Sequence, residues 1–279
     1  MTRPAFRFGP ALLFCPADRP DRYAKALDRA DAVILDLEDA VDEAAKAAAR
    51  DALVATPLDP ERVIVRLNPA DGPHRAADLA ALARTAYRTV MLAKCEDVAD
   101  LSGLERYEAI PLCETARGVL AAPALAAQAN VSALMWGAED LVSSLGGSSS
   151  RRADGAYRET PRAARVLVQL AAAAHGAVAI DAVHLDLADL EGQREEAEDA
   201  AALGFAATAC VHPSQVEVVR AAYRPGAAEL ERARAVLAAA EHEGGVFRFR
   251  GVMVDEPVLR QARAAVRRAE AGSGPPTIR

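Results

Sequence analysis

Short apolar, β-branched runs alternate along this chain with longer alanine-rich stretches. The runs cover 11–15 (ALLFC), 32–38 (AVILDLE), 62–68 (RVIVRLN), 89–94 (TVMLAK), 109–114 (AIPLCE), 133–140 (ALMWGAED), 179–185 (AIDAVHL) and 208–212 (TACVH). They are continuous rather than alternating in polarity, the pattern of strands buried on both faces in a parallel sheet. Between them, 20–30, 43–55, 74–86, 96–105, 116–129, 161–176 and 189–203 have helix-forming composition. Eight βα repeats in roughly 220 residues predict an α/β fold of the (β/α)8 TIM-barrel type. A doubly wound open sheet is the alternative, but no GxGxxG follows the first run. Beyond the eighth run come helical stretches at 214–222 and 227–243, a Gly244–Gly245 break, a strand-like 246–254 and a last helix over 257–270. The organisation is therefore read as a barrel over 1–222, followed by a C-terminal helical lid or oligomerisation arm over 223–279 whose end is frayed.

The polar residues interrupt this pattern in particular places. Asp36, Glu38 and Asp39 end the second run, Arg66 and Asn68 the third, Lys94 the fourth and Glu114 the fifth. Glu139 and Asp140 end the sixth, Asp181 and His184 mark the seventh, and His212 ends the eighth. In such barrels the carboxyl ends of the strands converge on one mouth, where the active site lies.

Glu114 and Asp140 stand 26 positions apart, one βα unit, so their carboxylates belong to adjacent strand ends. Two carboxylates with room for waters describe a Mg²⁺ site better than a zinc site, because the five histidines show no ligand spacing. They can equally be helix-capping acids. Arg66 closes an apolar strand and needs a partner, which Asp36 or Glu38 can supply; it can also clamp a substrate carboxylate. Lys94 is the only strand-end lysine of the three in the chain, which opens a Schiff-base alternative. The stretch 146–152 (GGSSSRR) lacks the spacing of a phosphate-binding loop and reads as flexible.

Composition narrows the function classes. Lys and Arg total 33 against 40 Asp and Glu, a net charge of −7, which argues against nucleic acid as the main partner. No apolar run approaches the ~18 residues of a membrane span, and the N-terminus lacks the features of a secretion signal. Four cysteines lie far apart without CxxC spacing, as small apolar residues of a reducing compartment. The expected location is the cytoplasm.

Several stretches together resemble the HpcH/HpaI aldolase family, whose members include the citrate lyase beta subunit and malyl-CoA and citramalyl-CoA lyases. They are LLFCPADRPDRYAKAL, DAVILDLEDAV, VIVRLNP, IPLCETARGV, LMWGAEDL, ATACVHPSQV and GVMVDEPVLRQA. The resemblance implies a (β/α)8 barrel that uses Mg²⁺ to make or break a carbon–carbon bond between an acyl-thioester enolate and a 2-oxo acid. It implies Glu114 and Asp140 as metal ligands, Arg66 as the substrate-carboxylate clamp, and backbone N–H groups near Gly137 and Ala138 facing the oxo acid. Asp36, Glu38 and Lys94 would support this first layer. Asp255 matches an aspartate that, in such lyases, serves as acid/base from the lid of an adjacent subunit. The partners implied are an oxo acid such as oxaloacetate, glyoxylate or pyruvate and a thioester of coenzyme A or acyl carrier protein. A homo-oligomer, in the first place a trimer, is also expected. LAK at 92–94 departs from the LPK frequent in relatives, and the tail is shorter than in the larger malyl-CoA lyases. Two alternatives stand beside this reading: a class I aldolase through Lys94, and a non-catalytic subunit that binds an oxo acid.

Overall fold

The computed structural model describes residues 3–243 and 245–271. Eight parallel strands form a closed barrel: β1 (Ala11–Pro16), β2 (Ala32–Asp36), β3 (Val63–Leu67), β4 (Thr89–Leu92), β5 (Glu108–Cys113), β6 (Ala133–Trp136), β7 (Val178–Asp181) and β8 (Ala207–Cys210). They pair in chain order and β8 closes on β1, so the sheet has no edge and the doubly wound alternative is excluded. The helices of the repeats are α1 (Pro20–Arg29), α2 (Lys46–Ala55), α3 (Arg75–Leu82), α4 (Ala116–Ala126), a short α5 (Ala138–Ser144), α6 (Glu159–Ala174), α7 (Leu190–Leu203) and α8 (Ser214–Tyr223).

One expected helix fails for a local reason, and one helix forms where none was expected. The 96–105 stretch forms only a 3-10 turn, Val98–Leu101. Asp97 and Asp100 satisfy backbone N–H groups there as a capping box, and Gly103 at φ 83 ends the turn. The helix α5 was hidden inside the sixth apolar run, because its first turn, Ala138–Leu141, continues that run without a break.

One phase of each strand faces the barrel interior. Leu12, Ile34, Ile64, Met91, Ile110, Leu112, Met135, Ile180 and Ala209 belong to a single apolar cluster, none of these nine more than 3% exposed. Two positions further along the same phase, Ile34 is followed by Asp36, Ile64 by Arg66 and Leu112 by Glu114. Because side chains alternate with period two, the apolar filling gives way to charge at the carboxyl ends of the strands. Phe6 and Phe8 pack on the same cluster, their rings edge to face at 5.3 Å.

The chain divides into two compact units at Val219–Arg220. The second contains α9 (Ala227–Ala240), β9 (Phe247–Phe249), β10 (Val252–Val254) and α10 (Glu256–Ala271). Ala233, Val236, Val254, Leu259, Ala262 and Ala265 form its core. The segment expected to be one strand is an antiparallel hairpin, with Val252 opposite Phe249. Arg250 (φ 47) and Gly251 (φ 85) make the two-residue turn, the geometry that matches strand twist. Of the expected glycine break, Gly244 lies outside the described residues, as does the 272–279 end.

Candidate active site

β2 and β3 place Asp36 directly opposite Arg66. The Arg66 Nε and Nη2 donate to the two Asp36 oxygens at 2.7 and 2.6 Å, and Nη1 lies 3.0 Å from Glu38 Oε2. Its guanidinium also sits 4.8 Å from the centre of the Phe14 ring. Burial works against this cation, but the charge and hydrogen bonds of Asp36, then the charge of Glu38, hold its pKa above the ordinary value. Asp36 additionally accepts from the backbone N–H groups of Glu38 and Ala40, at 2.9 and 3.1 Å. A guanidinium carries five N–H groups. Asp36 takes two of them by hydrogen bonds, and Nη1 is ion-paired with Glu38.

Glu114 follows β5 and is 3% exposed. Its Oε1 accepts from the Lys94 backbone N–H at 2.9 Å. Burial pushes its pKa up to about 8; Arg66 opposes the shift, and the neighbouring charges of Asp140 and Glu38 reinforce it. Asp140 lies in the first turn of α5, with its side chain 39% exposed. The capping alternative fails for both acids, because Thr115 caps α4 through Gly118 and Gly137 occupies the N-cap of α5. Gly137 has φ −132, which any residue adopts, so the reason for glycine is proximity. A Cβ there would stand 2.9 Å from both Cβ and Oε2 of Glu114.

Lys94 joins the two walls. Its Nζ donates to Glu38 Oε1 and to Asp39 Oδ2 (3.1 Å), and lies 3.6 Å from Asp140 Oδ1. Burial opposes the charge, but the hydrogen bond and charge of Glu38 and the charge of Glu114 more than offset it, so its pKa is raised.

These groups surround a cavity of about 270 Å³. Asp36, Asp39, Arg66, Glu114, Glu139 and Asp140 line it, as do Gly137 and Ala138. Phe14, Leu112, Met135 and Val211 supply apolar walls. Glu114 is a buried carboxylate with one N–H donor and a high proton affinity, a deficit of positive charge that a cation beside it would relieve. Among the described residues no three His, Cys, Asp or Glu side chains converge to hold a metal. The Glu114–Asp140 pair therefore fits an oxygen-seeking ion that keeps several waters, and does not fit zinc.

Other strand-end residues face elsewhere. Asp181 accepts from Trp136 Nε1 at 2.6 Å and from Arg165 Nε and Nη2 at 3.0 and 2.9 Å. It shares the strand phase of Ala179, opposite to that of Ile180, and so joins α6 rather than the cavity. His184 Nδ1 lies 2.9 Å from Glu196, and His212 Nδ1 lies 2.8 Å from Ser214 Oγ. The 146–152 stretch is tied down rather than loose: Ser150 is 2% exposed and donates to Glu139. Arg151 pairs with Glu196 and stacks 3.9 Å from the centre of Tyr157. All four cysteines are buried, and none is in a disulfide. Asp255 belongs to the C-terminal unit, where its Oδ1 accepts from Val258 N at 3.3 Å beside the start of α10.

Sequence reasoning missed Lys46 and Asp78. Lys46 donates to the carbonyls of Leu37 and Glu38 and to Asn68 Oδ1, each at 2.8 Å, and Asp78 accepts from Asn68 Nδ2 at 2.7 Å. Only the scarcity of lysine in this chain could have marked Lys46.

Comparison with known proteins agrees with this architecture. A "Citrate lyase subunit beta-like protein" of Mycobacterium tuberculosis is 58% identical over 261 residues, covering 94% of this chain and 96% of that protein. The crystal structure of M. tuberculosis protein CitE in complex with magnesium, acetoacetate and coenzyme A superposes with a TM-score of 0.91 at 57% identity, covering 94% of this chain and 98% of that one. A "(3S)-malyl-CoA thioesterase" of Cereibacter sphaeroides is 34% identical, covering 94% of each chain. Residues 11–213 match the HpcH/HpaI aldolase/citrate lyase family, and with these relatives the match shows that this chain belongs to it.

Proposed function

We propose that this protein is a Mg²⁺-dependent carbon–carbon lyase that cleaves or forms a short 3-hydroxyacyl thioester, of citryl, malyl or citramalyl type. Its products in the cleavage direction are a 2-oxo acid and an acetyl-type thioester. The observation that carries the reading is one cavity with a held guanidinium on one wall and, on the other, the cation-deficient carboxylate of Glu114 together with Asp140. Glu114 and Asp140 would hold the ion, and Mg²⁺ when bound would supply a Lewis acid for the oxygens of the hydroxy or oxo acid. The N–H groups of Arg66 not bonded to Asp36 receive a substrate carboxylate, and the N–H groups of Gly137 and Ala138 at the start of α5 face the same ligand. As the carbon–carbon bond breaks, the hydroxyl proton leaves and the thioester enolate carbon takes up a proton. We assign that exchange to Asp255 of a neighbouring copy, with the C-terminal unit acting as a lid in a homo-oligomer.

A Schiff-base mechanism needs a neutral amine, whereas Lys94 is an ammonium held by carboxylates. Borohydride with pyruvate should therefore leave Lys94 unmodified in a peptide map. Hydroxyacyl-CoA thioesters assayed with Mg²⁺ test the main reading. Release of oxo acid together with acetyl-CoA supports it, release of hydroxy acid together with free CoA identifies a thioesterase, and binding without turnover identifies a non-catalytic subunit.

A further inference from the structure

The cavity wall formed by Asp36 and Arg66, the latter ion-paired with Glu38, rests on a second, buried network. Lys46 opens α2 and is 8% exposed. All three of its N–H donors are used, each at 2.8 Å, and all on uncharged oxygens: Leu37 O, Glu38 O and Asn68 Oδ1. Asn68 is itself fixed, because its Nδ2 donates to Leu37 O (2.9 Å) and to Asp78 Oδ2 (2.7 Å) and its backbone N–H to the same Asp78 oxygen (3.0 Å). Asp78 is fully buried and takes Arg50 Nε at 2.7 Å. The ammonium thus cannot shift without breaking a chain of bonds that ties α2 to α3.

This network sets the polarity of the segment that follows β2. Two successive carbonyls, of Leu37 and Glu38, turn toward Lys46. The N–H groups of Glu38, Asp39 and Ala40 turn toward the carboxylates of Asp36 and Glu38, at 2.9, 3.0 and 3.1 Å. Those carboxylates in turn hold Arg66, Asp36 through two hydrogen bonds and Glu38 through the 3.0 Å ion pair at Nη1. Lys46 is absent from the cavity lining, so it acts at one remove. A buried ammonium is costly to desolvate, and an apolar side chain of similar length would fill the same space. What the apolar chain cannot do is hold two consecutive carbonyls.

We infer that Lys46 is a positioning residue for carboxylate recognition: by fixing the 37–40 segment it aims Asp36 and Glu38, and through them the free edge of Arg66, at the ligand. The inference rests on the reading of Arg66 as the oxo-acid clamp. Calorimetric titration of the full-length protein with pyruvate in saturating Mg²⁺, and with Mg²⁺ alone, tests both. Lys46→Met should weaken pyruvate binding about tenfold, while Mg²⁺ affinity changes less than twofold because Glu114 and Asp140 lie outside the segment. In an Arg66→Lys background, the same substitution should add less than a twofold loss, since its effect passes through the guanidinium. A loss that adds in full to that of Arg66→Lys would mean simple removal of a nearby positive charge and would overturn the inference, as would unchanged pyruvate affinity. If Lys46→Met does not fold, Asn68→Ala keeps the ammonium but removes its steering oxygen, and should weaken pyruvate binding at least threefold; no weakening overturns the proposal. Failure of Arg66→Lys itself to weaken pyruvate binding would instead reject the clamp reading.

Discussion

Arg66 and Glu114 carry opposite parts of the site, and each can be tested separately. With its Nε edge committed to Asp36, Arg66 offers a ligand its remaining N–H groups in a fixed plane, which a lysine ammonium cannot reproduce. Arg66→Lys should therefore raise the oxo-acid Kd about tenfold, roughly 1.4 kcal/mol, by calorimetry. Glu114 makes a pH prediction. With a folded pKa near 8 against an ordinary 4.5, the metal-free protein binds a proton that the unfolded chain gives up. The resulting stability is fully present below pH 4.5 and is lost as pH rises through 8. A cation requires the ionised carboxylate and compensates its charge, so Mg²⁺ should raise Tm more at pH 8.5 than at pH 6, and Glu114→Gln should abolish that difference in a thermal melt. Both residues were legible because each ends an apolar run on the phase that fills the barrel. Asp181 was not: when both faces of a strand are buried, sequence cannot tell the inner phase from the outer, and only Arg165 and Trp136 reveal which one it follows. Lys46 was hidden because its partners are backbone carbonyls and an amide, which leave no charge pattern to read.

At the level of elements, the turn from β6 into α5 brings the two candidate metal ligands together. Its backbone is ordinary, yet a single methyl at position 137 would stand 2.9 Å from Glu114 Cβ and Oε2. Gly137→Ala should displace the Glu114 carboxylate, with an overpacking cost of about 1–3 kcal/mol in chemical denaturation. Mg²⁺ affinity should fall tenfold or more, while the circular dichroism spectrum stays that of the parent. An unchanged Mg²⁺ affinity would show that Glu114 has room to move and that the close approach has no bearing on the metal. The eight strands were readable from apolar runs, since a closed parallel barrel demands continuous burial. The 96–105 helix and the loose 146–152 loop were misread because composition was the only guide there. Paired aspartates and Gly103 defeated the first, and the long-range Arg151–Glu196 and Ser150–Glu139 contacts overrode the second.

For the whole molecule, the question is what Asp255 does. Its carboxylate accepts from Val258 N beside the start of α10, so a purely local role predicts a modest loss of stability on substitution, about 0.5–2 kcal/mol, and no effect on turnover. The proposed acid/base role predicts the reverse emphasis. Asp255→Asn keeps an oxygen for Val258 N and should retain Mg²⁺ and oxo-acid binding, but turnover should drop by roughly 10²–10⁴, the usual worth of a positioned proton-transfer group. The subunit arrangement has its own test, because Arg66 and Asp255 lie in different compact units of one chain. If the lid of one copy serves the barrel of another, inactive Asp255→Asn chains and inactive Arg66→Ala chains complement each other. Dissociated and reassembled together, they should regain a fraction of activity through sites that combine an intact barrel with an intact lid, a fraction that grows with the proportion of mixed oligomers seen by native mass spectrometry. Mixed oligomers without recovered activity would confine each site to a single chain, and a fully active Asp255→Asn would leave Asp255 with the helix-capping role alone.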